Sequence, residues 1–115
     1  VLYLVVFLPL AAVEELLEAL FAAGAGRLGR YDRCAFVQEG QGRFRPLAGA
    51  APAIGAAPAA GQLAGEDVRV AEARIELLVP ESRAGAVEAA LRSAHPYEEP
   101  AFYFFAVKGP VETDP

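Results

Sequence analysis

Seven consecutive apolar residues, Leu2-Tyr3-Leu4-Val5-Val6-Phe7-Leu8, run up to Pro9. An unbroken apolar run of this length predicts a strand covered on both faces, and Tyr3 and Phe7 add β-propensity. The period then changes. Val13, Leu16, Leu17, Leu20 and Phe21 fall at i, i+3, i+4, i+7 and i+8, the single apolar stripe of a helix over about Ala11–Ala23. Glu14 and Glu15 lie in its first turn, where the helix dipole favours anions, and Gly24 and Gly26 end it.

Alternation returns in two short stretches, about Arg33–Gln38 and Gly42–Leu47, with Glu39-Gly40-Gln41-Gly42 as the turn expected between them. Ala48–Gly65 has no period: nine of its 18 residues are Ala, four Gly and two Pro. Gly and Pro defeat the helix that Ala alone would favour, so a long loop is expected, and loops of this length are usually functional or mobile. Ile75, Leu77 and Val79 then share one face of a strand over Glu72–Val79, with Arg74, Glu76 and Leu78 on the other. A second helix is expected from Ser82, as N-cap, to Ala94, burying Val87, Ala90, Leu91 and Ala94. The last strand, Ala101–Lys108, carries Phe102 and Phe104 on one face and Tyr103 and Phe105 on the other.

This order predicts an α+β fold: a ferredoxin-like βαββαβ sandwich with an extra hairpin and a long Ala/Gly/Pro loop, one domain over residues 1–108 with a polar tail over 109–115. Both helices would cover one sheet face. The first and last strands are apolar on their other sides too, which is unusual for a soluble monomer. The second face is therefore expected to be covered in a homo-oligomer, with no subunit number implied by the pattern.

Composition narrows the partners. The net charge is −5, which opposes nucleic-acid binding through a positive surface. Cys34 is the sole cysteine, so no internal disulfide is available and a reducing compartment is expected. The apolar run at the N-terminus is far shorter than a membrane span, and Pro9 and Glu14-Glu15 follow it closely. A cytoplasmic protein without membrane attachment is the expectation.

Two places hold candidate chemistry. The window holding Arg27, Arg30, Arg33, Arg43 and Arg45 is net +3 within an acidic chain. Converging guanidinium groups would bind a small anion; the other reading is a solvated face of cross-strand ion pairs. Cys34 stands near Arg30 and Arg33, which favour a thiolate, but an alternating strand more often holds Cys as a small apolar residue. The second place is His95-Pro96-Tyr97-Glu98-Glu99-Pro100, which holds the only histidine, two adjacent carboxylates and two rigid prolines. Imidazole with carboxylates suits Zn, Cu or Ni, making His95, Glu98 and Glu99 the candidate metal set, with Tyr97 beside them as a ligand-binding residue. The other reading is structural, with His95 capping the second helix and Tyr97 packing. No cofactor is demanded; a divalent metal ion is the one these residues would suit.

His95-Pro96-Tyr97-Glu98-Glu99-Pro100-Ala101-Phe102 resembles the last-strand motif of two related groups. These are the CutA divalent-ion-tolerance proteins and the PII-like domain inserted into the Nif-three-like (NGG-interacting factor) family. Gly24–Cys34, Gly40–Leu47 and Gly49–Gly55 resemble the helix exit, hairpin and following loop of the second group, so the resemblance covers nearly the whole chain. It implies a PII/CutA-like fold that tends to trimerise, and ligand clefts between subunits. The two-metal site of full-length Nif-three-like proteins lies in flanking regions rich in His, Asp and Glu, and those ligands have no counterpart in a chain with one His. The expected function is a small oligomeric binding or regulatory module, sensing a divalent metal ion or a small anionic ligand at subunit interfaces. A purely structural or protein-interaction oligomer is the alternative, and an enzyme is the least favoured class.

Overall fold

A computed structural model describes residues 1–109. The elements follow the expected order: β1 (Leu2–Pro9), α1 (Val13–Ala22), β2 (Phe36–Phe44), β3 (Val68–Val79), α2 (Ala84–Ala94) and β4 (Phe102–Ala106). The strands form one antiparallel sheet in the order β2-β3-β1-β4. With two helices on one face, this is the ferredoxin-like arrangement expected from the pattern.

The register explains why β1 is apolar throughout. Leu4 pairs with Leu77 and Phe104, Val6 with Ile75 and Phe102, and Leu8 with Ala73. Leu4, Val6, Leu8, Ile75 and Val79 are fully buried beneath Leu16 and Leu20 of α1 and Val87 and Leu91 of α2. Each such side chain contributes about 1.5–3 kcal/mol by leaving water. Tyr3, Val5 and Phe7 point the other way, aligned with Leu78, Glu76 and Arg74 of β3. On this open face Tyr103 and Phe105 of β4 and Phe36 of β2 are each more than half exposed.

The helix ends follow local chemistry. Gly24 takes φ +110° after α1, and its N–H bonds Phe21 O while that of Ala25 bonds Leu20 O. Both helices begin with a 3-10 turn, Leu10–Ala12 and Glu81–Arg83. Ser82 lies inside the second of these turns, and α2 has no side-chain N-cap, contrary to the expectation for Ser82. Pro9 and Pro80 set the entry to each turn with φ near −60°.

The expected short hairpin at Glu39–Gly42 is corrected. Phe36–Phe44 is one strand, with Gly40 paired to Glu72 and Gly42 to Val70. A two-residue hairpin needs positive φ at its centre, and neither Gly40 nor Gly42 has it. Val68 and Val70, both left outside the expected strand Glu72–Val79, supply the partner residues. The reversal occurs instead across residues 45–67, pinned at its base by Leu47 bridging Ala64 and by Gly65 N–H donating to Pro46 O at 2.8 Å. β1 ends opposite Glu72, so the β2–β3 ribbon overhangs the sheet there.

The expected tail over 109–115 falls, beyond Gly109, outside the described residues. No helix among the described residues is long and apolar enough to cross a membrane.

Candidate functional site

A cleft of about 690 Å³ opens beneath the overhanging ribbon. One wall is the chain from Arg43 to Ile54, which leaves β2 and turns into the Ala/Gly/Pro loop; the other is Tyr97–Glu99 and Ala101, between α2 and β4. Phe7 of β1, Phe44 of β2 and Glu72 of β3 also line it. The loop is fastened to the opposite wall by Ala51 N–H, which donates to Glu98 Oε1 at 3.2 Å.

Tyr97 reaches the sheet because His95 and Pro96 aim it there. The residue before proline is driven to extended geometry, and His95 adopts φ −77°, ψ 133° as the residue ending α2. Its N–H still bonds Leu91 O at 2.8 Å. The ring is buried, with Nε2 2.7 Å from Phe7 O and Nδ1 accepting Tyr97 N–H at 3.1 Å. A nitrogen accepting a hydrogen bond leaves the other to carry the proton, so Nε2–H donates to Phe7 O. Burial, only partly offset by Phe7 O and Glu72, lowers the imidazole pKa.

Tyr97 then donates its phenolic hydrogen to Glu72 Oε2 at 2.5 Å. Its ring sits 6.3 Å from Phe44, inclined by 58°. Desolvation, followed by the bond to Glu72 and the charge of Glu72, pushes the phenol pKa well up. Gly42 makes this contact available: a Cβ at position 42 would overlap the Glu72 carboxylate.

The sequence-expected residues are thus partly united. Arg43, Arg45, Tyr97, Glu98 and Glu99 meet around the cleft. Neither Arg43 nor Arg45 is in a salt bridge among the described residues. Arg27, Arg30 and Arg33 do not join them, because they follow α1 at the other end of β2, roughly 27 Å away at about 3.3 Å per residue. Arg33 is turned to Glu18, with Nη1 3.1 Å from Oε2 and Nη2 against Oε1, and covers the Phe21 ring at 4.9 Å. That pair holds the exposed Glu18 carboxyl below the usual carboxylate range. Arg27 borders a smaller groove with Cys34, Tyr3 and Phe36. There the Cys34 thiol has only a long contact, 3.6 Å, to Asp32 O.

Of the candidate metal set, Glu98 and Glu99 line the cleft, whereas the His95 ring is turned to Phe7 O and Tyr97 N–H. Both His95 ring nitrogens are committed within the protein, and among the described residues no three His, Cys, Asp or Glu side chains gather to hold a metal ion. Sequence reasoning missed Phe7, Phe44 and Glu72. Glu72 lies 25 residues before Tyr97, and only the pairing of β2 with β3 brings Gly42 beneath it. A carboxylate alternating with Arg74 and Glu76 on the exposed side of a strand was the one available signal.

No family model matches the chain. It is 42% identical over 106 residues to a GTP cyclohydrolase 1 type 2 homolog of Mycobacterium leprae, covering 92% of this chain and 26% of that protein. The Bacillus subtilis protein of the same name is 42% identical over 105 residues, covering 91% and 26%. The chain therefore spans about a quarter of the length of these relatives. Among solved structures, a Bacillus cereus protein related to NIF3 superposes with TM-score 0.77 and 38% identity, covering 97% of this chain and 27% of that one. CutA1 of Pyrococcus horikoshii superposes with TM-score 0.60 at 15% identity, covering 95% and 85%; at that identity the likeness is one of fold. Along nearly its whole length the chain is thus similar to one quarter-length region of the GTP cyclohydrolase 1 type 2 homologs, in a CutA-like fold.

Proposed function

We propose that residues 1–108 form one folding unit that works as a small-ligand-binding, non-catalytic module, self-associating through its open sheet face. The observation that carries this reading is the cleft itself. Its lining includes two arginines without carboxylate partners among the described residues, Arg43 and Arg45, and two aromatic residues, Phe44 and Tyr97. Guanidinium groups and aromatic rings along one cleft suit a small molecule with an anionic group and a planar or apolar body. The name carried by the longer relatives makes a purine nucleotide the first such anion to offer. The single cysteine supports a reducing compartment, the cytoplasm, as the setting of this reading.

A thermal-shift series tests the reading, with pyrophosphate, GTP and divalent cations offered to the wild type and to the Arg43→Gln/Arg45→Gln variant. A ligand at 100 times its dissociation constant adds about 2.7 kcal/mol, a shift on the order of 10 °C for a domain of this size. The expected result is a shift with pyrophosphate or GTP that the double variant loses. Equal shifts in both proteins, or none, contradict it.

A second reading rests on the exposed Phe36, Tyr103 and Phe105. It is an assembly whose function is the association itself, and it predicts self-association with no response to any ligand.

A further inference from the structure

Glu72 is half-buried at the cleft wall, and its two oxygens are treated unequally. Oε2 accepts the Tyr97 hydroxyl, whereas Oε1 rests against Gly42 and accepts from no donor among the described residues. A carboxylate oxygen that faces the cleft without a donor from the protein is free to accept from a ligand's N–H. The nearest cation on the same strand face is already engaged: Arg74 Nε is 2.9 Å from Glu76 Oε2, and its guanidinium lies 5.8 Å from the Phe7 ring centroid. Phe7, Phe44 and Tyr97 line the cleft together with Glu72. Aromatic faces attract cations through their quadrupoles, and a carboxylate held among such rings is matched to an organic cation with N–H donors.

We infer that the cleft seats the cationic head group of a small organic ligand, an amidinium, guanidinium or ammonium, between Glu72 and the rings of Phe44 and Tyr97. The inference rests on the cleft reading above, and it makes the ligand amphoteric. The head lies at Glu72 over Gly42 and the anionic end at Arg45, about 10 Å along the strand. A ligand of that span is longer than an α-amino acid's own pair of charges.

The test uses benzamidine as the head-group probe and pyrophosphate as the anion probe, each titrated into the whole chain and followed through backbone amide resonances. Benzamidine is expected to move the amides of Gly42, Phe44 and Tyr97. Glu72→Gln is expected to weaken benzamidine at least tenfold while leaving pyrophosphate within twofold. Phe44→Leu, which leaves the carboxylate intact, is expected to weaken benzamidine at least threefold and guards against loss of folding in Glu72→Gln. Benzamidine shifts confined elsewhere, or an affinity unchanged in both variants, overturn the inference. Pyrophosphate binding without benzamidine binding overturns it too and leaves the anion reading standing. Glu72-dependent benzamidine binding without pyrophosphate binding supports the head-group site and removes the anion reading.

Discussion

Tyr97 donates to Glu72 Oε2 at 2.5 Å, tying the segment after α2 to β3 across 25 residues of chain. Burial first, then Glu72, raises the phenol pKa above its ordinary value of 10.0, so the folded protein keeps a proton that the unfolded chain sheds. The stabilisation is complete below about pH 10 and is lost as pH climbs from there toward the raised value. Tyr97→Phe is expected to lower stability by about 1–2 kcal/mol at neutral pH. Urea unfolding at pH 7 and pH 10.5 should show the gap between wild type and variant narrowing at the higher pH.

Gly42 and Gly40 look alike in sequence and differ in surroundings. A Cβ at Gly42 would meet the Glu72 carboxylate, whereas one at Gly40 would meet nothing within 4 Å. Glu72 is flexible enough to swing aside, so the cost of Gly42→Ala is the bond to Tyr97. Gly42→Ala is expected to destabilise by about 1–2 kcal/mol and to add little on top of Tyr97→Phe, as coupled neighbours do. Gly40→Ala should be neutral or slightly stabilising, because it removes backbone freedom from the unfolded chain. Urea unfolding of a Gly42→Ala/Tyr97→Phe double-mutant cycle, with Gly40→Ala measured beside it, checks all three.

His95 ends α2 with both ring nitrogens used. Its lowered pKa means that the folded state resists protonation. Its contribution is therefore present above the unfolded value near 6.5 and is lost as pH falls below that toward the depressed folded value. Melting temperatures at pH 7.5 and 5.5 should fall more for wild type than for His95→Gln. His95→Ala, which orphans Phe7 O and Tyr97 N–H, is expected to cost about 2–4 kcal/mol at pH 7.5.

The open sheet face carries Phe36 at 58%, Tyr103 at 55% and Phe105 at 52% exposure. If self-association covers them, Phe36→Ser/Tyr103→Ser/Phe105→Ser should reduce the mass measured by light scattering to that of a single chain. The cleft residues remain in place in that variant, so helix content should be unchanged.

The elements that were legible in sequence are those whose pattern is local. Leu2–Leu8, the Val13–Phe21 stripe and the alternation of Ile75, Leu77 and Val79 each report their own burial. Tyr97, Glu98 and Glu99 could be singled out because two prolines stiffen their segment. What was not legible depended on pairing. Gly40-Gln41-Gly42 has turn composition, yet it lies extended because Glu72 and Val70 stand opposite it. The five arginines are close in number but divided by the length of β2. Glu72 gains a role only when Gly42 clears its path and Tyr97 arrives from the far side of the fold. His95 has a ligand's side chain, but the carbonyl that claims its Nε2 belongs to Phe7, 88 residues away.

The cleft between Arg43–Ile54 and Tyr97–Ala101 is proposed to bind a small anion through Arg43 and Arg45. The most direct measurement is a pyrophosphate titration of isotope-labelled chain, followed amide by amide. Saturable shifts are expected to cluster at Arg43–Ile54 and Tyr97–Glu99 and to be abolished in Arg43→Gln/Arg45→Gln. Shifts clustered instead around Arg27, Arg30 and Arg33, or no saturable shifts at all, would contradict it.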